Sequence, residues 1–402
     1  MKLTEKIHLE IDKNNKPLAI FLDLSKAFDT VAHDKLFIKL HSLGIRGVAL
    51  ELIKSYLSNR QQYVEINRTL SKPRIIEFGV PQGTVLGPLL FLIYINELCN
   101  LKIEGEILSF ADDTVLLFAE KSWEKVHEVA EKELQKVKHW FDINLLTLNK
   151  EKTMYINFSP KINTQPIISS LKIHSTNCAL SDITCNCCIL RKVTNIKYLG
   201  IIIDQHLKWN LHINSLVKKL RYALHKFYSL RYILSLSNLK MVYHATVQSI
   251  IQYGITGWGG AYDVHISKII TMQNTILKIM LKKPTRYPTR LVYEESGVLQ
   301  TKKLYAKFVI KHIHINFHPS KTLNINQKRP NTRSKTKKNA MLDRVNKGLT
   351  QRHTYYLGPK LYNLLPLNIR HTKSTKSFNH SCNHWLMSYP IDKIKECINI
   401  TV

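Results

Sequence analysis

Three aspartates set among apolar residues constrain this chain more than any other feature of its sequence. Asp23 closes the run LAIFLDL (Leu18 to Leu24), the pattern of a buried strand whose tip carries a polar group. Asp112 and Asp113 sit at the centre of Ile107 to Ala119, which is apolar on both flanks and reads as a hairpin. Taken singly, an aspartate in such a place is more often a turn or cap residue. Taken together, carboxylates on short apolar elements are expensive to bury unpaired and require cations. Two hard divalent ions, Mg²⁺ or in its place Mn²⁺, would supply the charge, and a two-metal site catalyses in-line phosphoryl transfer by clamping the attacking and leaving oxygens.

The surrounding pattern mixes strands and helices. Asp29 is expected to cap a helix with Leu36, Leu40 and Leu43 on one face and Gly44 just past its end. Val64 to Phe78 contains plausible strands and leads into the turn-rich GVPQGTVLGP (Gly79 to Pro88), after which Leu89 to Leu98 reads as an apolar core helix. Val126, Val129, Ala130, Leu134, Val137, Phe141 and Leu145 mark an amphipathic helix. The Ser-, Asn-, Thr- and Cys-rich stretch over 159–192 reads as an irregular insertion, and Asn195 to Asp204 returns to strand character. Helical spacing then dominates to Leu299. Ile213, Leu216, Val217, Leu220, Leu224 and Phe227 share one face, with Lys218, Lys219, Arg221 and Lys226 largely off it. Lys321 to Lys338 holds seven basic residues and no acidic one, the composition of a flexible basic linker over about 319–340.

Lys and Arg number 59 against 29 Asp and Glu, a formal net charge of +30 that calls for a polyanionic partner, nucleic acid first. The longest strongly apolar stretch, Leu89 to Ile95, falls far short of the roughly 20 residues of a membrane span, so no membrane partner is expected. Seven cysteines, an odd number, point away from a disulfide framework and toward a reducing, intracellular compartment, with nucleus and cytoplasm equally compatible with the basic clusters. Cys178, Cys185, Cys187 and Cys188 have six, one and zero residues between them, which does not match zinc-ligand pairs.

Three longer motifs then fall in order. FLDLSKAFDTVAHDKL (Phe21 to Leu36), GVPQGTVLGPLLF (Gly79 to Phe91) and FADDTVLLF (Phe110 to Phe118) resemble the core palm motifs of non-LTR retrotransposon reverse transcriptases of the insect jockey-like type. LLTLNKEKT (Leu145 to Thr153) is similar to that family's fourth palm motif and KYLGIIID (Lys197 to Asp204) to its primer grip. The C-terminal YYLGPKLYNLLPLNIR (Tyr355 to Arg370) resembles the basic tail of such elements. The resemblance implies an α+β fold: a polymerase palm of antiparallel sheet and flanking helices over 1–205, a helical thumb over 206–300, and a basic C-terminal region over 301–402. It implies RNA-directed DNA polymerase activity on an RNA template and DNA primer, with deoxynucleoside triphosphates as substrates. Asp23 and Asp112 would ligate both metals, with Asp113 as a more peripheral ligand. Phe28 would be the steric gate against a ribose 2′-hydroxyl, Gln82 and Gly83 would approach nucleotide and template, and Lys152 would protonate the leaving pyrophosphate. Tyr198, Leu199 and Gly200 would press the primer terminus forward, and Lys218, Lys219, Arg221 and Lys226 would contact the nucleic-acid backbone.

One departure stands out. The segment before Asp23 is too short for the fingers subdomain that the family places there, and the chain has no room for the upstream endonuclease, so a fragment is expected, either of a truncated element or from an incompletely delimited gene. Loss of a triphosphate clamp would impair catalysis, and the alternative expectation is a catalytically silent nucleic-acid-binding remnant.

Overall fold

Helix α1 (Lys2–Asp12) precedes strand β1 (Lys16–Leu22), and β1 is the centre of a five-stranded sheet. The structure, a computed structural model, describes residues 2–161, 166, 170–174, 187–316 and 348–398. It divides the chain into two units, one of Asn14–Leu199 and one of Met1–Lys13 with Gly200–Val402. The architecture is mixed α and β.

In the first unit the sheet adds β2 (Glu106–Phe110), β3 (Asp113–Glu120), β4 (Met154–Asn157) and β5 (Arg191–Lys192) in the order β5-β4-β1-β3-β2. β1 pairs antiparallel with β3 from Lys16↔Glu120 to Leu22↔Thr114, and with β4 from Leu18↔Asn157 to Phe21↔Met154. Paired on both edges, β1 buries both faces, which is why it reads as a continuous apolar run rather than an alternating one. Leu18, Ile20 and Leu22 join a core with Leu36 and Leu40 of α2 (His33–Ser42), Leu57 of α3 (Val48–Leu57), Phe91 and Tyr94 of α4 (Leu86–Ile95) and Val126 to Phe141 of α5 (Trp123–Ile143).

Several local expectations change. Asp29 does not cap α2: Ala32 is the N-cap residue and no side chain caps it. Gly44 does follow the helix end with φ 91°, the left-handed conformation that spares glycine a Cβ clash. The apolar helix is α4, and it is not core all round: Leu90, Phe91, Tyr94 and Ile95 are buried, whereas Leu89 and Leu92 are exposed. Leu145 lies beyond the end of α5, exposed, at φ 55°. Asn195 to Asp204 is not one strand but two, Asn195–Tyr198 and Ile201–Asp204, interrupted where Leu199 and Gly200 take positive φ. Cys178, Cys185 and the basic linker lie outside the described residues. Cys188 is a free thiol.

The second unit is helical. In α6 (Asn210–Ile233) the predicted face is buried at Ile213, Leu216, Val217, Leu220 and Phe227, and α8 (Asp263–Met280), which follows α7 (Leu236–Tyr243), packs on it through residues such as Ile266 and Ile276. Beyond α9 (Thr289–Ser296), α10 (Thr301–Asn316) meets α11 (Thr354–Tyr362) so closely that a Cβ on Gly358 would lie 2.6 Å from Ile313. α1 buries Leu3, Ile7 and Ile11 in this unit, where the Thr350 hydroxyl donates to the His8 carbonyl at 3.3 Å. Among the described residues no helix is long and apolar enough to cross a membrane.

Candidate active site

The antiparallel register of β1 and β3 decides where the aspartates go. The last pair is Leu22↔Thr114, so the residue that follows β1, Asp23, and the first residue of β3, Asp113, lie at the same end of the sheet. Phe110↔Asp113 closes the β2–β3 hairpin through a two-residue turn, Ala111–Asp112. Ala111 has φ 54°, the positive first position that matches turn twist to strand twist but usually falls to glycine. The turn thereby carries Asp112 to the same sheet end.

Electrostatics registers the proximity. The Asp113 carboxyl is pushed above its ordinary range by partial burial first, then by the charges of Asp112 and Asp23. One expectation is corrected here: Asp23 is half-buried, while Asp112 and Asp113 are exposed, so burial alone does not demand a counter-ion. Partial burial first and the neighbouring carboxylates second disfavour the charged form of Asp113, and carboxylate oxygens are the donors a hard divalent cation takes. The donor set therefore fits such an ion chemically, although among the described residues no three His, Cys, Asp or Glu side chains stand gathered to hold one.

Asp23 is also tied down from behind. Its backbone N–H donates to the Thr153 hydroxyl at 3.4 Å, and its carbonyl accepts from Asn149 N–H at 2.8 Å. The Thr153 hydroxyl in turn donates to the Asn149 carbonyl at 2.7 Å, and Asn149 Oδ1 accepts from the Lys152 backbone N–H at 3.2 Å. The segment bearing exposed Lys152 is thus anchored on Asp23 itself. Sequence reasoning missed Thr153 and Asn149; the available signal was a small hydroxyl residue, fully buried here, at the entrance to a strand.

Phe28 and the Gly79–Pro88 loop form a second cluster in the same unit. The half-buried Phe28 ring lies 4.6 Å from that of Phe91 on α4. Its carbonyl accepts from Val80 N–H at 2.8 Å, Gly79 N–H donates to the Val31 carbonyl at 2.7 Å, and a Cβ on Gly79 would meet the Asp29 backbone at 3.0 Å. The Gln82 amide, expected to face nucleotide and template, donates to Asp29 Oδ1 at 2.9 Å. Gly83 takes φ 77° with open space where a side chain would stand. Asp29, displaced from its expected capping role, is therefore the anchor of this loop.

Tyr198 brings the grip motif to the carboxylates. Its ring meets Phe21 edge-on at 5.5 Å, and its hydroxyl pKa is raised by burial and then by the charge of Asp113. Leu199, at φ 46°, ends the first unit, and Gly200, at φ 77° in the second, has Tyr253 Cε1 3.3 Å from where its Cβ would be. Lys218, Lys219, Arg221 and Lys226 are all exposed on α6 of the second unit.

Comparison with known proteins adds the following. The family model described as reverse transcriptase (RNA-dependent DNA polymerase) matches residues 1–203. A probable RNA-directed DNA polymerase from transposon X-element of Drosophila melanogaster is 27% identical over 288 residues, 69% of this chain and 30% of its own. The RNA-directed DNA polymerase from mobile element jockey of Drosophila funebris is 29% identical over 290 residues, 70% of this chain and 30% of its own. The chain therefore spans about three tenths of the length of these relatives. The apo telomerase of Candida tropicalis overlays 99% of this chain and 56% of its own at 11% identity with a TM-score of 0.39, too low to carry an argument.

Proposed function

This chain belongs to the reverse transcriptase (RNA-dependent DNA polymerase) family, and from that membership we propose that it carries the RNA-directed DNA polymerase chemistry of a non-LTR retrotransposon. The Asn14–Leu199 unit is then the palm and the helices over 206–300 the thumb. The observation that carries the reading is the convergence of Asp23, Asp112 and Asp113 at one sheet end, set by the antiparallel register of β1 and β3 and the two-residue turn before β3. Asp23 and Asp112, with Asp113 beside them, would hold two Mg²⁺ or Mn²⁺ ions, which would supply charge for activating a primer 3′-hydroxyl and steadying a deoxynucleoside triphosphate.

The chain's own residues do the positioning. Thr153 and Asn149 fix the Asp23 backbone, so that its carboxylate leaves the sheet in one direction. Phe28, braced by Phe91, supplies an aromatic wall against a 2′-hydroxyl. Gln82, its amide held by Asp29, and Gly83 present the backbone of this loop to nucleotide and template. Tyr198, Leu199 and Gly200 steady the primer end, and Lys152 delivers a proton to the departing pyrophosphate.

The test is Mg²⁺-dependent extension of a DNA primer on an RNA template by the purified chain, beside Asp112→Asn. Extension is expected to fall at least about a hundredfold in the variant, the scale of removing one preorganised electrostatic group. An unchanged rate sinks the assignment. No extension by the parent, with nucleic-acid binding retained, would mark a silent binding remnant instead.

A further inference from the structure

No Asp or Glu occurs between Asp204 and Asp263, and α6 runs through the middle of that stretch. Besides Lys218, Lys219, Arg221 and Lys226, this helix exposes three tyrosines, Tyr222 at 64%, Tyr228 at 45% and Tyr232 at 72%. Tyrosines that serve the core of the same unit, Tyr243, Tyr305 and Tyr362, are buried. Those on α6 therefore leave a large ring in water without a packing reason.

Two of them are held in place. The Arg231 guanidinium lies 5.0 Å from the centre of the Tyr228 ring and 4.6 Å from that of Tyr232, and it donates to the Tyr232 hydroxyl. Arg231 Nε has no hydrogen-bond partner among the described residues. A cation against these rings orients them and leaves their exposed surfaces for another π-system. On a helical wheel the tyrosines share one broad exposed arc with Lys218, Arg221, His225 and Lys226, and Tyr222 to Tyr232 spans roughly 15 Å at 1.5 Å per residue.

We propose that this face of α6 binds single-stranded RNA, stacking unpaired bases on Tyr222, Tyr228 and Tyr232 while Lys218, Lys219, Arg221 and Lys226 follow the phosphates. The choice of RNA rests on the RNA-templated reading above. The choice of a single strand rests on the rings: a duplex keeps its base faces within its own stack and offers phosphates, which need only the cations. Unpaired bases offer a π-face to an aromatic side chain whatever their sequence.

The experiment measures anisotropy of a short labelled RNA with the full chain, once single-stranded and once annealed to its complement, without nucleotide or metal. A Tyr228→Leu, Tyr232→Leu pair is expected to weaken single-strand binding about ten- to a hundredfold, the range for losing one or two base stacks. It should leave duplex binding and the salt slope unchanged, and the corresponding Tyr→Phe pair should bind like the parent. A Lys218→Gln, Lys219→Gln pair should instead lower the salt slope on both RNAs. Single-strand binding by the leucine pair within about twofold of the parent, or equal losses on both RNAs, overturns the proposal. Because no primer is extended in this assay, its failure is distinct from failure of the polymerase reading.

Discussion

Taking the protein from about pH 7.5 to about pH 4.5 is expected to cost the unit containing α1 roughly 2–3 kcal/mol through His8 alone. Burial lowers the His8 pKa from its ordinary 6.5 to about 4. Its ring lies 4.5 Å from that of buried His353, whose pKa is lowered by burial and then by any charge on His8. A histidine depressed on folding binds its proton more readily in the unfolded chain. Its contribution is therefore whole above pH 6.5, drains as pH falls from 6.5 toward 4, and stays lost below. One proton's worth of linkage gives a slope of about 1.4 kcal/mol per pH unit across that window, which integrates to the figure above at pH 4.5. Carboxylates titrate in the same range, so the assay compares two chains rather than two pH values. Urea unfolding would be followed by the fluorescence of Trp209 and Trp258, both buried in this unit, for the parent and for His8→Phe. His8 Nδ1 has no hydrogen-bond partner among the described residues, so an apolar ring forfeits no bond at that atom and also removes the burial of a polar nitrogen. The variant's stability should then fall less steeply with acid, by about one proton. A variant with the parent's slope would refute the reasoning, because it would mean that His8 takes up its proton without unfolding.

Thr153→Val removes the hydroxyl between Asp23 and Asn149 and is expected to cost about 1–2 kcal/mol in urea unfolding, with a several-fold slower primer extension that Thr153→Ser restores; parental rate and stability in the valine variant would remove Thr153 from the positioning set. Phe28→Ala is expected to raise ribonucleotide use relative to deoxynucleotide use at least tenfold. Because its ring packs on Phe91, the truncation also costs up to about 3 kcal/mol of stability, so the readout is a selectivity ratio, and an unmoved ratio would refute the gate.

Asp23 and the Asp112–Asp113 pair were legible because strands advertise themselves: LAIFLDL is too apolar for an edge, and two apolar arms around Asp112 leave only a hairpin. The buried stripe of α6 was legible for the same kind of reason, its period being local. What local pattern could not tell is which remote surface an element meets. Leu3, Ile7 and Ile11 announce an amphipathic helix, yet nothing among neighbouring residues says that α1 buries them in the unit of Gly200–Val402 rather than beside β1. Composition likewise overstated the burial of α4, whose uniformly apolar sequence conceals a face left in solvent at Leu89 and Leu92.

The carboxylates illustrate the harder lesson. Apolar neighbours led to the expectation of buried aspartates that need cations because they are buried. The structure buries β1 and most of β3, leaves β2 partly exposed with Phe110 in solvent, and places the acidic residues where the sheet ends, Asp23 just after β1, Asp112 in the two-residue turn and Asp113 at the start of β3. Exposure alone would make three aspartates ordinary. What sets them apart is that an antiparallel register brings three carboxylates to one sheet end, where partial burial first and the charges of Asp112 and Asp23 second raise the pKa of Asp113. A lysine nearby could relieve that repulsion permanently, and a site with such a partner would have little use for an ion. The groups that instead hold this end together, Thr153, Asn149 and Tyr198, are neutral, so they fix the geometry and leave the charge to be satisfied from solution.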